Sequence, residues 1–135
     1  MDFSHMTAPC GLPCFECYVF LANENEEIRQ MVSKELGIPL ERATCAGCRN
    51  EKGKCAVLPM PCSVYPCAEE KGINHCSDCA DFPCDRLHPY ADNAKLFHNT
   101  KVFNLCLIKK MGLEEWAKNK AKSVIHTYSY EKFKL

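Results

Sequence analysis

The segment that decides the fold is the middle of the chain, where residues 45–84 read CAGCRNEKGKCAVLPMPCSVYPCAEEKGINHCSDCADFPC. Eight of these residues are cysteine, glycine and proline recur throughout, and the apolar residues follow neither helical nor strand periodicity. Such a segment cannot bury enough apolar surface to offset the entropy lost on ordering it. We therefore expect a ligand held by the cysteines to order it.

The cysteines fall into four closely spaced groups, one of them near the N-terminus, and Cys106 stands alone. Cys-x2-Cys occurs three times, and its short loop lets two thiolates reach ~2.3 Å from one zinc ion. In the Cys45–Cys48 loop, Gly47 can take the positive φ that such a turn often needs. The predicted metal ligands are Cys10, Cys14, Cys17, Cys45, Cys48, Cys55, Cys62, Cys67, Cys76, Cys79 and Cys84.

How these thiols share metal ions stays open. Short loops cost the least entropy to close, which favours two groups: Cys45, Cys48, Cys55 and Cys62, then Cys67, Cys76, Cys79 and Cys84. The remaining N-terminal thiols would need a fourth ligand from His5, His75, Cys106 or water. Interleaved pairings satisfy the same spacing, for example Cys14 and Cys17 with Cys76 and Cys79. Cys106 lies in an apolar run, so we expect it to be buried.

Zinc is the first expectation, with two ions or three. No signal peptide or membrane-spanning run is visible, so we expect a cytoplasmic protein. In that compartment clustered cysteines indicate metal binding more than disulfides. An iron–sulfur cluster is the alternative, because all-cysteine ligation suits it too. Cys10-x3-Cys14-x2-Cys17 has the spacing of the cluster in radical S-adenosylmethionine enzymes, but the chain is too short for their barrel.

Outside the middle segment the pattern predicts helices. We expect a mostly α-helical fold with irregular, metal-stapled loops and little or no β structure. One domain would span residues 1–135, with an N-terminal part (1–44), a cysteine-rich part (45–84) and a C-terminal helical part (85–135). The predicted helices cover 14–22, 26–36 and 113–126, a run capped by Thr100 that ends at Gly112, and a helical face at 87–97, with short turns at 67–71 and after Pro83.

The charge composition excludes few classes of function. Lysine and arginine together number 17, as do aspartate and glutamate, so the net charge does not favour nucleic acid. The C-terminal part is mildly basic, and Lys118, Lys120 and Lys122 would have to carry any such contact. We expect neither a nucleic-acid nor a membrane partner.

The order of the cysteine motifs resembles the DUF3795 family. The resemblance rests on Cys10-Gly-Leu-x-Cys14-x2-Cys17, Cys45-x-Gly-Cys48, Cys62-x4-Cys67-Ala-x2-Lys-Gly72, Cys76-x2-Cys79-x-Asp-Phe-Pro-Cys84-x2-Leu87 and the stretch 109–116. It implies a small bacterial or archaeal protein for which zinc binding is inferred but no activity is known. Relatives usually carry a Cys-x2-Cys ending at the position of Cys62, whereas this chain has Pro59 at its first place and Val64-Tyr65 in place of Ile-Arg. Cys55 would be the substitute ligand.

Three functions remain in view. The first is a zinc-dependent structural or interaction module, a binding or regulatory protein rather than an enzyme, whose partner is an unknown protein. The second is an iron–sulfur or redox-active thiol protein, motivated by the N-terminal cysteine group. The third is nucleic-acid binding through the basic C-terminal part, which the balanced charge makes weakest.

Overall fold

The structure is a computed structural model that describes residues 1–58 and 60–135. Within these ranges the chain is mostly helical and forms no β-sheet; its one strand-like contact is an isolated bridge between Thr7 and Pro13. The predicted fold class, a mostly α-helical protein with irregular loops, is therefore confirmed. The α-helices of the described chain are α1 (Phe3–Met6), α2 (Tyr18–Leu21), α3 (Glu26–Leu36), α4 (Val64–Lys71), α5 (Lys101–Met111), α6 (Leu113–Asn119) and α7 (Ala121–Tyr130).

Helix α3 has the predicted bounds. Asn25 caps its first turn by accepting a hydrogen bond from the Ile28 N–H at 3.1 Å. Gly37 ends the helix in the left-handed conformation (φ +63°), which costs glycine little. Its apolar face packs Val32 against Val19 and Ala22, so α3 covers the N-terminal cysteine segment.

The predicted continuous helix over 14–22 is wrong. Cys14–Glu16 form a single 3-10 turn, Cys17 is extended (φ −77°, ψ 132°), and α2 begins only at Tyr18. The carbonyl of Cys17 accepts the first hydrogen bonds of α2, from Phe20 and Leu21. Cys17 therefore serves as a cap between two short elements, and Cys14 and Cys17 lie at the ends of one turn instead of on one helical face.

The C-terminal part is more broken than predicted. Residues 85–100 form three 3-10 turns, Asp85–Leu87, Ala91–Asn93 and Phe97–Thr100, where one helical face was expected. Pro89 disfavours helical backbone at its predecessor, and the Asn99 side chain bonds Tyr90 and Asn93 across the bend instead. The helix predicted over 113–126 is divided at Lys120 (φ −128°) into α6 and α7.

Helix α5 begins after Thr100 and ends at Gly112, as expected. The Thr100 hydroxyl, however, does not cap α5; it donates to the Phe97 carbonyl. The expectation that Cys106 is buried is also wrong, since its side chain is exposed. Leu105 and Ile108 occupy the inward face of α5, and one residue beyond Leu105 turns Cys106 by about 100° toward solvent.

The apolar core lies outside the middle segment. Its largest member, Trp116 of α6, is fully buried, donates its indole N–H to Asn104 at 3.2 Å and packs edge-on against Phe15. Among the described residues of 45–84, only Val64 and Ala68 are buried apolar side chains. The middle segment thus has the poor apolar packing that its sequence predicts.

Polar contacts attach the middle segment to the N-terminal one. Arg49 donates to the carbonyls of Thr7 (2.9 Å) and Asn74 (2.6 Å), and the Cys76 N–H donates to the Pro9 carbonyl (2.8 Å). Through Arg49 and Cys76, these bonds hold the regions of the Cys45–Cys48 and Cys76–Cys79 motifs beside residues 7–9. None of the described helices combines the length and apolar character needed to cross a membrane.

Candidate metal centres

Eleven of the twelve cysteines line two separate cavities. The seven-thiol cavity, of about 70 Å³, is lined by Cys10, Cys14, Cys17, Cys45, Cys48, Cys55 and Cys62. The four-thiol cavity, of about 80 Å³, is lined by Cys67, Cys76, Cys79 and Cys84. All of these cysteines are free thiols.

The four-thiol cavity is built from one continuous stretch of chain. Cys67 lies on α4, Cys76 begins a 3-10 turn (Cys76–Asp78), and Cys79 and Cys84 follow in the next loop. Val64 and Leu87, both buried, form its apolar wall. The group expected from short-loop closure is therefore brought together by the fold.

Two donors point at one sulfur of this cavity. The Lys71 ammonium group lies 3.3 Å from the Cys79 Sγ, and the Asp81 N–H lies 3.4 Å from it. Lys71 also pairs with the Asp81 carboxylate at 3.2 Å. Positive charge and N–H donors around a sulfur are typical of the surroundings of metal-binding cysteines.

Burial has the largest effect on the neighbouring thiol, that of Cys76. It raises the pKa of Cys76 to about 11, with further increases from the thiols of Cys84, Cys67 and Cys79. A pKa this high keeps the Cys76 thiol protonated at neutral pH. A divalent cation would reverse this preference by binding the thiolates and releasing their protons.

The seven-thiol cavity is built from two segments that are distant in sequence. Residues 10–17 supply three of its sulfurs and residues 45–62 supply four. The segments meet where the Cys45 N–H donates to the Val19 carbonyl (3.0 Å) and the Cys48 N–H donates to the Cys14 Sγ (3.4 Å). The group Cys45, Cys48, Cys55 and Cys62 favoured by loop closure thus shares one cavity with Cys10, Cys14 and Cys17.

Two glycines shape this cavity. Gly47 has φ +102°, as predicted, and its N–H donates to the Cys45 Sγ at 3.4 Å. Gly11 has φ +89°, and a Cβ there would lie 2.8 Å from Leu105 Cγ. Close contact between residues 10–12 and α5 therefore requires glycine at position 11.

The thiols of this cavity are held in an apolar environment. Burial raises the pKa of Cys10 and of Cys17 to about 12. The Lys101 ammonium group lowers the pKa of Cys10, and the N–H groups of Val19 and Phe20 lower that of Cys17, but neither effect offsets burial. Burial also raises the pKa of Cys48, with additional repulsion from Cys10, Cys14, Cys62 and Cys55.

Sequence reasoning missed two residues of the seven-thiol cavity, His98 and Lys101, which lie on its wall just before and at the start of α5. Burial, followed by the charge of Lys101, lowers the pKa of His98 to about 4. No local motif marks these residues, because they follow Cys84 by more than ten positions and approach the cavity only through the packing of α5.

The remaining predicted partners lie elsewhere. His5 bonds Asn50 (2.7 Å), His75 lines neither cavity, and Cys106 is exposed. Cys14 and Cys17 are in a different cavity from Cys76 and Cys79, so the fold does not bring that interleaved pairing together. The predicted replacement of a ligand at Pro59 lies outside the described residues.

The sulfur donors of the two cavities suit a metal that prefers sulfur ligands, although the sulfur atoms do not converge on one point. In residues 1–58 and 60–135, no three histidine, cysteine, aspartate or glutamate side chains converge closely enough to coordinate an ion as they stand. Sulfur donors, N–H groups directed at them and an apolar surround are the features of zinc–thiolate and iron–sulfur sites. The same features do not suit Mg²⁺ or Ca²⁺, which bind oxygen.

Comparison with known proteins identifies one relationship. The model of a family described as "Protein of unknown function (DUF3795)" matches residues 6–89. The match includes all eleven cavity cysteines, while the stretch 109–116 lies beyond it. No curated protein and no solved structure matches the chain.

Proposed function

Because the chain belongs to the DUF3795 family, to which no function is assigned, we propose a function from its cavities: a zinc-binding module whose metal orders the cysteine-rich middle segment. The observation that carries this proposal is the gathering of eleven cysteines into two cavities, with one cysteine left at the surface. Cysteines that bind no ligand have no need to be gathered in cavities, whereas each tetrahedral zinc site needs four donors.

The energetic argument supports the same proposal. Among the described residues of 45–84, two apolar side chains are buried and the cysteines are half-buried, and apolar burial contributes ~25 cal/mol per Å². Apparent binding energies of structural zinc are ~10–16 kcal/mol, comparable to the entire stability of a small domain, ~5–15 kcal/mol. Zinc is thus large enough to decide whether this segment folds.

The groove beside the seven-thiol cavity supports a role in interaction. An open groove of about 580 Å³ is lined by exposed Met60 and Tyr90 and by charged Arg86 and Asp92. It shares Cys62, His98 and Lys101 with the seven-thiol cavity. A metal in that cavity would fix one wall of the groove, so binding of a protein partner there would depend on zinc.

The test is elemental analysis of protein purified without oxygen, followed by chelation. We expect at least two zinc ions per chain, no iron, and loss of helical circular dichroism when a strong chelator removes the zinc. Hydrogen exchange of the groove residues should become faster at the same chelator concentration. Metal-free protein with an unchanged dichroism spectrum would refute the proposal.

The second candidate is an iron–sulfur protein, favoured by the seven-thiol cavity alone. Seven thiols exceed the four that one ion takes, and an apolar wall that includes Leu12, Phe20 and Phe97 would shield a cluster from water. The same purification decides the matter, because brown protein containing iron and sulfide would favour this candidate over zinc.

A further inference from the structure

The seven thiols of the seven-thiol cavity contact two different apolar clusters. Cys17 and Cys45 pack with Val19, Ala22 and Val32, on the side covered by α3. Cys10, Cys48 and Cys62 pack with Leu12, Val64 and Leu105, on the side covered by α5. The two apolar clusters thus contact different thiols, and Cys14 packs in the second of them.

Electrostatic proximity gives this division in part, since Cys48 is also within reach of Cys14 and Cys55. Cys55 lies within electrostatic reach of Cys14, Cys17 and Cys45. Cys62 lies within reach of Cys10 and Cys48. Cys14 is between the two groups, since its sulfur accepts the Cys48 N–H, and the 3-10 turn Cys14–Glu16 connects it to Cys17.

The seven thiols are one donor short of the eight that two structural zinc ions take. With Cys14 counted beside Cys17, to which a single turn connects it, Cys14, Cys17, Cys45 and Cys55 are sufficient for one ion. Cys10, Cys48 and Cys62 require one more donor. The number of thiols therefore raises the question of whether a side chain other than cysteine is the fourth ligand of the second group.

His98 supplies an unused donor at that position. It lines the cavity together with the seven thiols, and its Nδ1 atom is buried and has no hydrogen-bond partner in the described part of the chain. Buried polar atoms without a partner are rare in folded proteins, and imidazole nitrogen is a common zinc ligand.

Its neighbours place His98 on the side of the second group. Phe97, the preceding residue, packs in the cluster that contains Cys10, Cys48 and Cys62. Lys101 lies within electrostatic reach of both Cys10 and His98, and the groove wall includes Cys62 and His98 together.

We propose that His98 is a metal ligand through Nδ1 and that it completes, with Cys10, Cys48 and Cys62, a second ion in the seven-thiol cavity. The proposal rests on the zinc binding proposed above and raises the expected count to three ions per chain, with the third in the four-thiol cavity. Each cysteine binds as a thiolate after losing its proton, and His98 binds as the neutral imidazole with its proton on Nε2.

Cadmium-113 NMR of the reconstituted full chain, labelled with nitrogen-15, tests this assignment. We expect three cadmium ions per chain and three cadmium resonances, one of which shows scalar coupling to the Nδ1 of a single histidine. His98→Gln should abolish that coupling and reduce the count from three ions to two. His98→Cys should restore three ions, all with sulfur ligands.

The matched control is His126→Gln, which changes an exposed histidine of α7 and should leave all three resonances unchanged. Three ions with no histidine coupling, or two cadmium ions coupled to each other through a bridging thiolate, would overturn the assignment while leaving metal binding intact. Failure to bind any metal would instead refute the proposed function. The coupling is measured on the unmodified chain, so a variant that fails to fold does not prevent a decision.

Discussion

The two cavities differ in how the chain builds them. The four-thiol cavity takes all its cysteines from residues 67–84, one continuous stretch that includes the second half of α4 and the residues after it. The seven-thiol cavity joins residues 10–17 to residues 45–62 and is closed by α5. A metal in the first would order a local loop, whereas metal in the second would connect the two halves of the fold.

The substitutions with the largest expected effect on stability test whether the two cavities have these different roles. We expect Cys14→Ser to lower the free energy of unfolding by more than ~4 kcal/mol, a magnitude reached only when a core, network or metal site is lost. Cys79→Ser should cost about 2 kcal/mol and melt residues 64–87 locally. Thermal unfolding and hydrogen exchange measure the two outcomes.

Cys106→Ser is the matched control and should change stability by less than ~0.5 kcal/mol, because that side chain is exposed. If Cys14→Ser and Cys79→Ser were equally mild and equally local, the distinction between a connecting cavity and a local one would be lost.

Glycine substitutions should give an intermediate effect. In Gly11→Ala the new Cβ would meet Leu105 Cγ at 2.8 Å with φ at +89°, whereas Gly72→Ala, at φ +65°, would meet no atom within 4 Å. We expect Gly11→Ala to cost ~2–5 kcal/mol from overpacking plus backbone strain, and Gly72→Ala ~1–2 kcal/mol from strain alone. Denaturant midpoints provide the measurement, and equal costs would show that α5 does not press on the seven-thiol cavity.

The smallest effect concerns the donor at the four-thiol cavity. Lys71→Met removes the ammonium group 3.3 Å from Cys79 Sγ, and loss of such an outer partner costs ~10–100-fold in metal affinity. Competition with a colorimetric chelator should show one ion bound more weakly and the others unchanged. Lys118→Met, at a lysine that pairs with Glu114 (2.9 Å), is the control; weakening of every ion by Lys71→Met would contradict separate centres.

The same contrast explains what the sequence could predict. Helix α3 has strong periodicity, an asparagine cap and a terminal glycine, so its bounds follow from local chemistry. The grouping of Cys67 with Cys84 follows from loop entropy, because all four thiols lie within one short stretch. Both predictions use interactions between residues near in sequence.

The seven-thiol cavity could not be predicted in this way. The set of thiols that meet in this cavity depends on the bonds that bring Cys45 to Val19 and Cys48 to Cys14. His98 reaches the cavity only through the packing of α5. The continuous helix expected from Cys14 was wrong for a related reason. Cys17 adopts extended backbone to cap α2, and helix propensity carries no information about that role.

Because Cys106 faces solvent, it offers a site at which a reporter dye can be attached. Eleven sulfurs line cavities and are buried or half-buried, while that of Cys106 is exposed, so a gentle alkylating agent would attach a dye first to the outer side of α5. The label would sit on the helix whose first residue lines the seven-thiol cavity, where its emission could follow ion uptake in real time.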